Sequence, residues 1–403
     1  MIALTDIRSA QERIAQGIVR TPCVPALAFA DRTSARLHLK LENLQRTGSF
    51  KDRGALNRLI DLSAEEKKRG VVTASAGNHA QAVAYHCHRL GIQATVVMPE
   101  ETPLIKISNT RRHGARIVLH GSNLADSMVE ARRIEADERV PLIHPYDDDR
   151  VIAGQGTIGL ELLEQVPDLT TVVAPIGGGG LISGIALAIK EQRPEVRVIG
   201  VEAKVAASAL ASRAAGHAVH IEMSETIADG IAVKRVGDLT FPLLEKYVDE
   251  IVTVDEEEIA AGVYLLIERQ KVVAEGAGAA ALAAAVAGRI ALAQSDVVGL
   301  LVSGGNIDLN IIQRVIERGL VREGRLTHLM VTMRDRPGSL ARLTRLVADA
   351  GANVLETAHR RAFADISVRD VEIVMHLETR GRDHAEEIIR LLKADGLHVE
   401  EDV

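Results

Sequence analysis

Between residues 37 and 307 the sequence alternates short runs of β-branched and aliphatic residues with longer helical stretches. Six of the runs, at 71–73, 94–98, 116–119, 171–176, 197–201 and 297–302, are apolar almost throughout rather than alternating with polar residues. A strand of that kind is buried on both faces, with the intervening helices as its cover. The pattern therefore predicts an α/β fold built on parallel sheets. Two helix starts carry the spacing of a capping box, Ser49 with Asp52 and Ser63 with Glu66. The first of these places Lys51 in an opening helical turn.

The pattern changes after a helix ending near Gly319. A charged connector at 321–325 leads to a strand at 326–333, a helix at 337–350, strands around Val354 and at 371–377, a helix at 383–394 and a last strand near Val399. That βαββαβ order predicts a ferredoxin-like module of about 75 residues. A length of 403 residues suits two or three domains.

Composition narrows the function. The chain carries a formal charge of -7, has no Trp and is 2% aromatic, which argues against a nucleic-acid partner that needs a basic face and stacking rings. Cys23 and Cys87 are too few for a disulfide framework or a thiolate metal site and suit a reducing, cytoplasmic setting. Residues 1–10 already contain Asp6 and Arg8, so the start does not read as a secretory signal. The Ala-rich run 277–287 is short of the roughly 20 residues that cross a bilayer and reads as a buried helix. The fourteen histidines show no H-x-x-x-H or H-E-x-x-H pairing, and no metal site is expected. Glu202, after the strand at 197–201, either joins a cation site or is solvated or paired.

Four segments carry chemistry. The strand at 171–176 runs into Gly177-Gly178-Gly179-Gly180 and then into a helix over 181–190. Backbone N–H groups and the helix dipole converge there on one anion, so a phosphate fits without a counter-lysine. The dinucleotide fingerprint fails because Ile182 or Ser183 falls at its third glycine, and the P-loop fails because Ile185 follows Gly184. Read alone, the run is also compatible with a tight turn. Ser75-Ala76-Gly77-Asn78-His79 opens another helix. Its amides suit a carboxylate and Asn78 can donate to a phenolic oxygen, or else Ser75 or Asn78 simply caps the helix. Ser303 stands at the carboxyl end of the strand 297–302, where its hydroxyl either meets a ring nitrogen or forms a turn. Lys51, in Thr47-Gly48-Ser49-Phe50-Lys51-Asp52-Arg53-Gly54-Ala55, taken singly reads as a solvated lysine. The combination reverses that reading, because an amine for a Schiff base and a nest for an anionic tail are the two attachments that pyridoxal phosphate needs.

These segments in this order resemble the fold-type II pyridoxal-phosphate enzymes, and within them the threonine dehydratases and serine racemases. The resemblance runs from about residue 18 to 320 and includes Leu41-Glu42-Asn43-Leu44-Gln45-Arg46, Ile152-Ala153-Gly154-Gln155-Gly156-Thr157-Ile158-Gly159, Thr226-Ile227-Ala228-Asp229-Gly230 and Ser303-Gly304-Gly305-Asn306-Ile307-Asp308. The tail, with Arg334-Asp335-Arg336-Pro337-Gly338-Ser339-Leu340, resembles an ACT domain. The resemblance implies two open parallel-sheet subdomains within 1–322, the smaller at roughly 52–150, and an amino-acid-sensing module at 326–403. It implies that Lys51 carries pyridoxal 5'-phosphate, that Asn78 contacts the 3-oxygen, that Gly177, Gly178, Gly179, Gly180 and Leu181 bind the phosphate, and that Ser303 faces the pyridine nitrogen. Ser75, Ala76, Gly77, Asn78 and His79 then take the substrate carboxylate, and Asp335, Pro337, Gly338, Ser339 and Leu340 an effector.

The implied activity is β-elimination on L-threonine, with L-serine as a second substrate, in a homodimer or homotetramer regulated by an amino acid. Two other enzyme readings are a serine racemase and a 3-hydroxyaspartate dehydratase, and a third is a sensor without turnover. Ala76 stands where the resembling racemases place a proton-donating serine, and Ser208 replaces an acidic residue of their cation site, so both departures favour elimination. Asp52, where relatives often carry an aliphatic residue, is a third departure, with an open effect on Lys51.

Overall fold

The computed structural model describes residues 2–361 and 367–401, so parts of the expected ranges 1–322 and 326–403 lie outside the described residues. The chain divides into two compact units, Met1–Ile307 and Asp308–Val403.

The first unit holds β1 (Cys23–Pro25), β2 (Arg36–Leu41), β3 (Val71–Ala74), β4 (Ala94–Met98), β5 (Arg116–Leu119), β6 (Thr171–Pro175), β7 (Arg197–Ala203), β8 (Glu250–Val254) and β9 (Val297–Val302). They form two sheets, one of six strands in the order β1-β2-β9-β6-β7-β8 and one of three in the order β3-β4-β5. Every pairing is parallel except that of β1 with β2. All six apolar runs are strands, and β4, β6 and β9 are buried along their whole length. Strands β1, β2 and β8 lacked that signature for physical reasons. Two of them are partly exposed edges, and β2 places His38 and Lys40 among its leucines.

Between the sheets, the helix Asp149–Gln165 packs closely on the helices Lys51–Ile60 and Gly180–Lys190. The contact depends on glycine: a Cβ on Gly154 would lie 2.6 Å from Gly54 Cα, and one on Gly184 would lie 2.7 Å from the Gly156 nitrogen. The spaced glycines of the 152–159 segment thus serve backbone-to-backbone packing.

Beneath that contact lies a fully buried ionic cluster. The Arg53 guanidinium donates to both oxygens of Glu42 at 2.8 and 2.9 Å, to both oxygens of Glu161 at 2.6 and 2.9 Å, and to Thr157 Oγ1 at 3.0 Å. Lys40 completes it, donating to Glu161 and, at 2.7 Å, to the Thr21 carbonyl. Two cations thus meet two carboxylates out of water. Burial pushes the Glu42 carboxyl up, but Arg53, joined by Lys40 and Thr21, outweighs it and holds the group below the usual carboxylate range.

The helix start at Lys51 is as expected, yet the Ser49 and Asp52 capping box does not form. Phe50 is the N-cap with helical φ and ψ, and no side chain caps it. Asp52 is fully buried and turns to the preceding loop, accepting from Thr47 N at 2.8 Å and Thr47 Oγ1 at 2.9 Å, with His86 Nε2 at 3.1 Å. Its carboxylate therefore has a full set of partners apart from Lys51. The box at Ser63 and Glu66 is present.

The second unit opens with the helix Leu309–Arg322 and continues through β10 (Leu326–Arg334), β11 (Asn353–Arg360), β12 (Asp370–Glu378) and β13 (His398–Glu401) in an antiparallel sheet ordered β11-β12-β10-β13. Helices Ser339–Asp349 and Arg382–Ala394 bury Leu343, Val347, Ile388 and Leu392 with Leu329, Val331, Ile373 and Met375 of the sheet. The earlier start expected at Pro337 is excluded by Gly338, which caps the helix at φ +89°. Among the described residues no helix is long and apolar enough to cross a membrane.

Removing one member of a buried ion cluster strands the others without water, at about 3–5 kcal/mol. Arg53→Met is accordingly expected to lower the denaturant midpoint of the first unit by that equivalent in equilibrium unfolding. A loss under about 1 kcal/mol would show that Glu42 and Glu161 are relieved by other partners.

Candidate active site

The segment before Lys51 is pinned to the carboxyl end of β9. Ser49 forms an isolated antiparallel bridge with Gly304, Phe50 N donates to the Ser303 carbonyl at 3.0 Å, and Gly305 N donates to the Gly48 carbonyl at 2.9 Å. Gly48 makes the turn at φ +80° with Asn306 packed on it, and Asn306 Nδ2 donates to the Thr47 carbonyl at 2.7 Å. These bonds place Lys51 beside Ser303, which is itself buried.

From Lys51 the contacts run on to the glycine loop. Lys51 Nζ donates to the Pro145 carbonyl at 2.7 Å. The next residue, Tyr146, lies against that loop, since a Cβ on Gly178 would fall 2.3 Å from its ring and one on Gly180 would fall 2.6 Å from its carbonyl oxygen. Thr240 braces the other side, its Oγ1 donating to the Gly178 carbonyl at 2.7 Å. Gly179, at φ +92°, is the N-cap of helix Gly180–Lys190, and the N–H groups from Gly178 to Leu181 donate to no group among the described residues. A cradle of free donors at a helix N-terminus binds an anion.

Asn78 closes the arrangement. It begins the helix Asn78–Leu90 after the N-cap Gly77, whose own N–H is held by Ser75 Oγ at 3.2 Å. Asn78 Oδ1 accepts from Asn306 Nδ2 at 2.7 Å and Asn78 Nδ2 donates to Glu275 Oε1 at 2.7 Å. The N–H groups of Ala76, Asn78 and His79 donate to nothing among the described residues. The His79 side chain is taken up elsewhere, its Nε2 donating to the Ile143 carbonyl at 3.1 Å.

Burial sets the electrostatics. It pushes the Lys51 amine down to about 8, against the opposing charge of Glu275. Burial, reinforced by the Lys51 charge, takes His79 down to about 3, and burial takes His144 down to about 4, so both rings are neutral. An amine poised near neutrality next to uncharged rings can attack a carbonyl and can act as a base. Sequence reasoning did not single out Pro145, Tyr146, Thr240 or Glu275, because each acts through tertiary contacts that no local spacing encodes.

The other positions singled out in the sequence lie apart from these contacts. Glu202 accepts from Ala209 N at 2.7 Å and Leu210 N at 2.9 Å, and burial outweighs those bonds to push it up to about 7. Among the described residues no group of three or more His, Cys, Asp or Glu is arranged to hold a metal. In the second unit Asp335, Pro337, Gly338 and Leu340 are exposed and Ser339 half-buried, and Arg361 Nε donates to Asp335 at 2.8 Å.

A desolvated lysine, a cradle of free amides and a neutral hydroxyl at the ends of parallel strands suit a phosphorylated aldehyde cofactor. The chain belongs to the pyridoxal-phosphate-dependent enzymes, matching that family over residues 14–304, and matches the ACT domain over residues 327–396. It is 48% identical to the L-threonine ammonia-lyase of Thermotoga maritima over 403 residues, covering 99% of each chain. It superposes on maize serine racemase with a TM-score of 0.75 at 37% identity, covering 80% of this chain and 99% of that one. It also superposes on the processed threonine deaminase isoform 2 of Solanum lycopersicum with a TM-score of 0.74 at 37% identity, over 78% of this chain and 86% of that one.

The neutral amine is the form that attaches an aldehyde. With Lys51 at about 8, cofactor attachment to the cofactor-free protein is expected to quicken about tenfold per pH unit below that value and level off above it. Stopped-flow absorbance across pH 6–10 checks this. A rate still rising steeply at pH 10, as for a lysine at its ordinary value of about 10.4, would contradict it.

Proposed function

We propose that this chain is an L-threonine ammonia-lyase, converting L-threonine to 2-oxobutanoate and ammonia and L-serine to pyruvate. The observation that carries the reading is the continuous chain of contacts running from the glycine loop through Tyr146, Pro145 and Lys51 to Ser303, Asn306 and Asn78. The full-length similarity to a named threonine ammonia-lyase supports the choice of substrate.

Bound pyridoxal phosphate supplies a sink for the electron pair left at the substrate Cα when its proton is removed. Lys51 is its attachment and, once the substrate amine has taken that place, the base for the Cα proton. The free amides from Gly178 to Leu181 hold the phosphate and the amides at the start of helix Asn78–Leu90 hold the substrate carboxylate. Asn78 takes the phenolic oxygen. Ser303 offers the ring nitrogen a neutral partner, which does not favour ring protonation as a carboxylate would, and this directs the reaction to loss of the β-hydroxyl rather than transamination. The water released at that step is taken up again when the free imine hydrolyses, so 2-oxoacid and ammonia are the net products.

Ala76 stands at the helix start with no proton to deliver, which separates this site from a racemase. Given L-serine, the protein should yield pyruvate with little D-serine, and Ala76→Ser should raise the D-serine share in chiral chromatography. Absence of 2-oxoacid from both L-threonine and L-serine would overturn the assignment, and abundant D-serine from the unaltered protein would overturn the role of Ala76.

We take the functional boundary to be the connector at 323–325, with 1–322 catalytic and 326–403 regulatory. The turn from Asp335 to Leu340 leaves backbone approachable, since nothing lies within 4 Å of where a Gly338 Cβ would be. The regulatory reading holds that this turn takes an amino acid, isoleucine or valine, between paired subunits of a dimer or tetramer. Such a ligand shifts activity through typically 1–3 kcal/mol of coupling. Calorimetry on the full-length protein should then show saturable heat with one of these amino acids and a matching change in threonine turnover. Absence of binding to every amino acid in a full panel would assign the module to assembly instead.

A further inference from the structure

Glu275 is a buried carboxylate that the reaction outlined above does not use. It is only 6% exposed, and burial, with the nearby Asp229 charge adding to it, pushes it up to about 7. Two unusual backbone features precede it. Helix Glu256–Leu265 runs into a π-helical turn at Leu266–Gln270, and Lys271 follows in the left-handed region at φ +60°. Both features are costly and collect at functional sites. The carboxylate arrives between two glycines: a Cβ on Gly304 would lie 2.4 Å from Oε1 and one on Gly230 would lie 3.4 Å from it.

Its one side-chain hydrogen bond among the described residues comes from Asn78 Nδ2 at 2.7 Å. The charged groups that face it are Asp229 from the turn Asp229–Ile231, Lys106 from helix Leu104–Arg111, itself paired with Asp229 at 2.6 Å, and Lys51. The bonds form a directed relay. Asn306 Nδ2 donates to the Thr47 carbonyl and to Asn78 Oδ1, and Asn78 Nδ2 donates to Glu275. A flipped Asn78 amide would set its oxygen against the carboxylate and its NH2 against that of Asn306. One N–H of Asn78 is thereby committed and the direction of the other is fixed.

We propose that Glu275 is a positioning residue for the elimination, acting through Asn78 to hold that second N–H toward the phenolic oxygen of the cofactor. The proposal rests on the reading of Asn78 as the group that meets this oxygen. Protonation of Glu275 weakens the acceptor, so the relay is tight above its titration and loose below it.

The isosteric Glu275→Gln, which cannot ionise, tests this in the holoenzyme. Exchanging a charged acceptor for the neutral amide oxygen of glutamine at this point should lower kcat on L-threonine roughly five- to tenfold. It should also remove an inflection near pH 7 from the pH titration of the cofactor absorbance, which Glu275→Asp retains. In an Asn78→Ala background the same substitution should have no further effect on either readout. The proposal is overturned if Glu275→Gln leaves kcat and titration unchanged, or if its effect adds in full to that of Asn78→Ala. Colour in the wild-type protein with a silent Glu275→Gln sinks this proposal alone, while a wild-type protein that takes up no coloured cofactor overturns the reading of the site as well.

Discussion

Arg53, two residues after the candidate cofactor lysine, has no water to solvate it and must be met wholly by protein. Glu42, Glu161 and Thr157 meet it from the turn after β2 and from the helix Asp149–Gln165. That requirement fixes the rotation of helix Lys51–Ile60 about its axis, because successive residues on a helix point about 100° apart. With Arg53 facing inward among carboxylates, Lys51 is turned to the other side, toward Pro145. A charge that can lie only one way thus orients the amine, and replacing the cluster by apolar residues could keep stability while losing that direction.

The rest of the site is assembled mostly from backbone. Main-chain bonds tie Gly48, Ser49 and Phe50 to Ser303, Gly304 and Gly305, and the glycine loop presents a row of free amides braced by Tyr146 and Thr240. Preorganised dipoles of this kind need no reorganisation when charge arrives. Burial then lowers the Lys51 amine and keeps His79 and His144 neutral, so the lysine has no competing cationic ring beside it.

Much of this was legible in the sequence. Burial on both faces keeps charged residues out of β3, β4, β6 and β9 and confines them in β7 to Arg197 and Glu202, and side-chain-free turns at strand ends advertise themselves. The strands expected at 326–333 and 371–377 are β10 and β12, and β10 buries alternate residues. What was hidden depends on partners far apart in sequence. Lys40 and Glu161 are 121 residues apart and pair only in the fold, and Asp52 read as a cap although Thr47 and His86 claim it. Glu275 precedes an Ala-rich helix with no local sign of its bond from Asn78, 197 residues away, for which Gly230 and Gly304 leave room. Local spacing reports burial and turns, whereas pairing of buried polar groups is decided by tertiary structure.

Everything proposed for this site turns on which amine carries the cofactor. Borohydride reduction of the holoenzyme, followed by peptide mass spectrometry, tests this most directly. Pyridoxyl modification confined to Lys51 is the predicted result. Modification centred on another lysine, or none in a protein that turns over L-threonine, would contradict it.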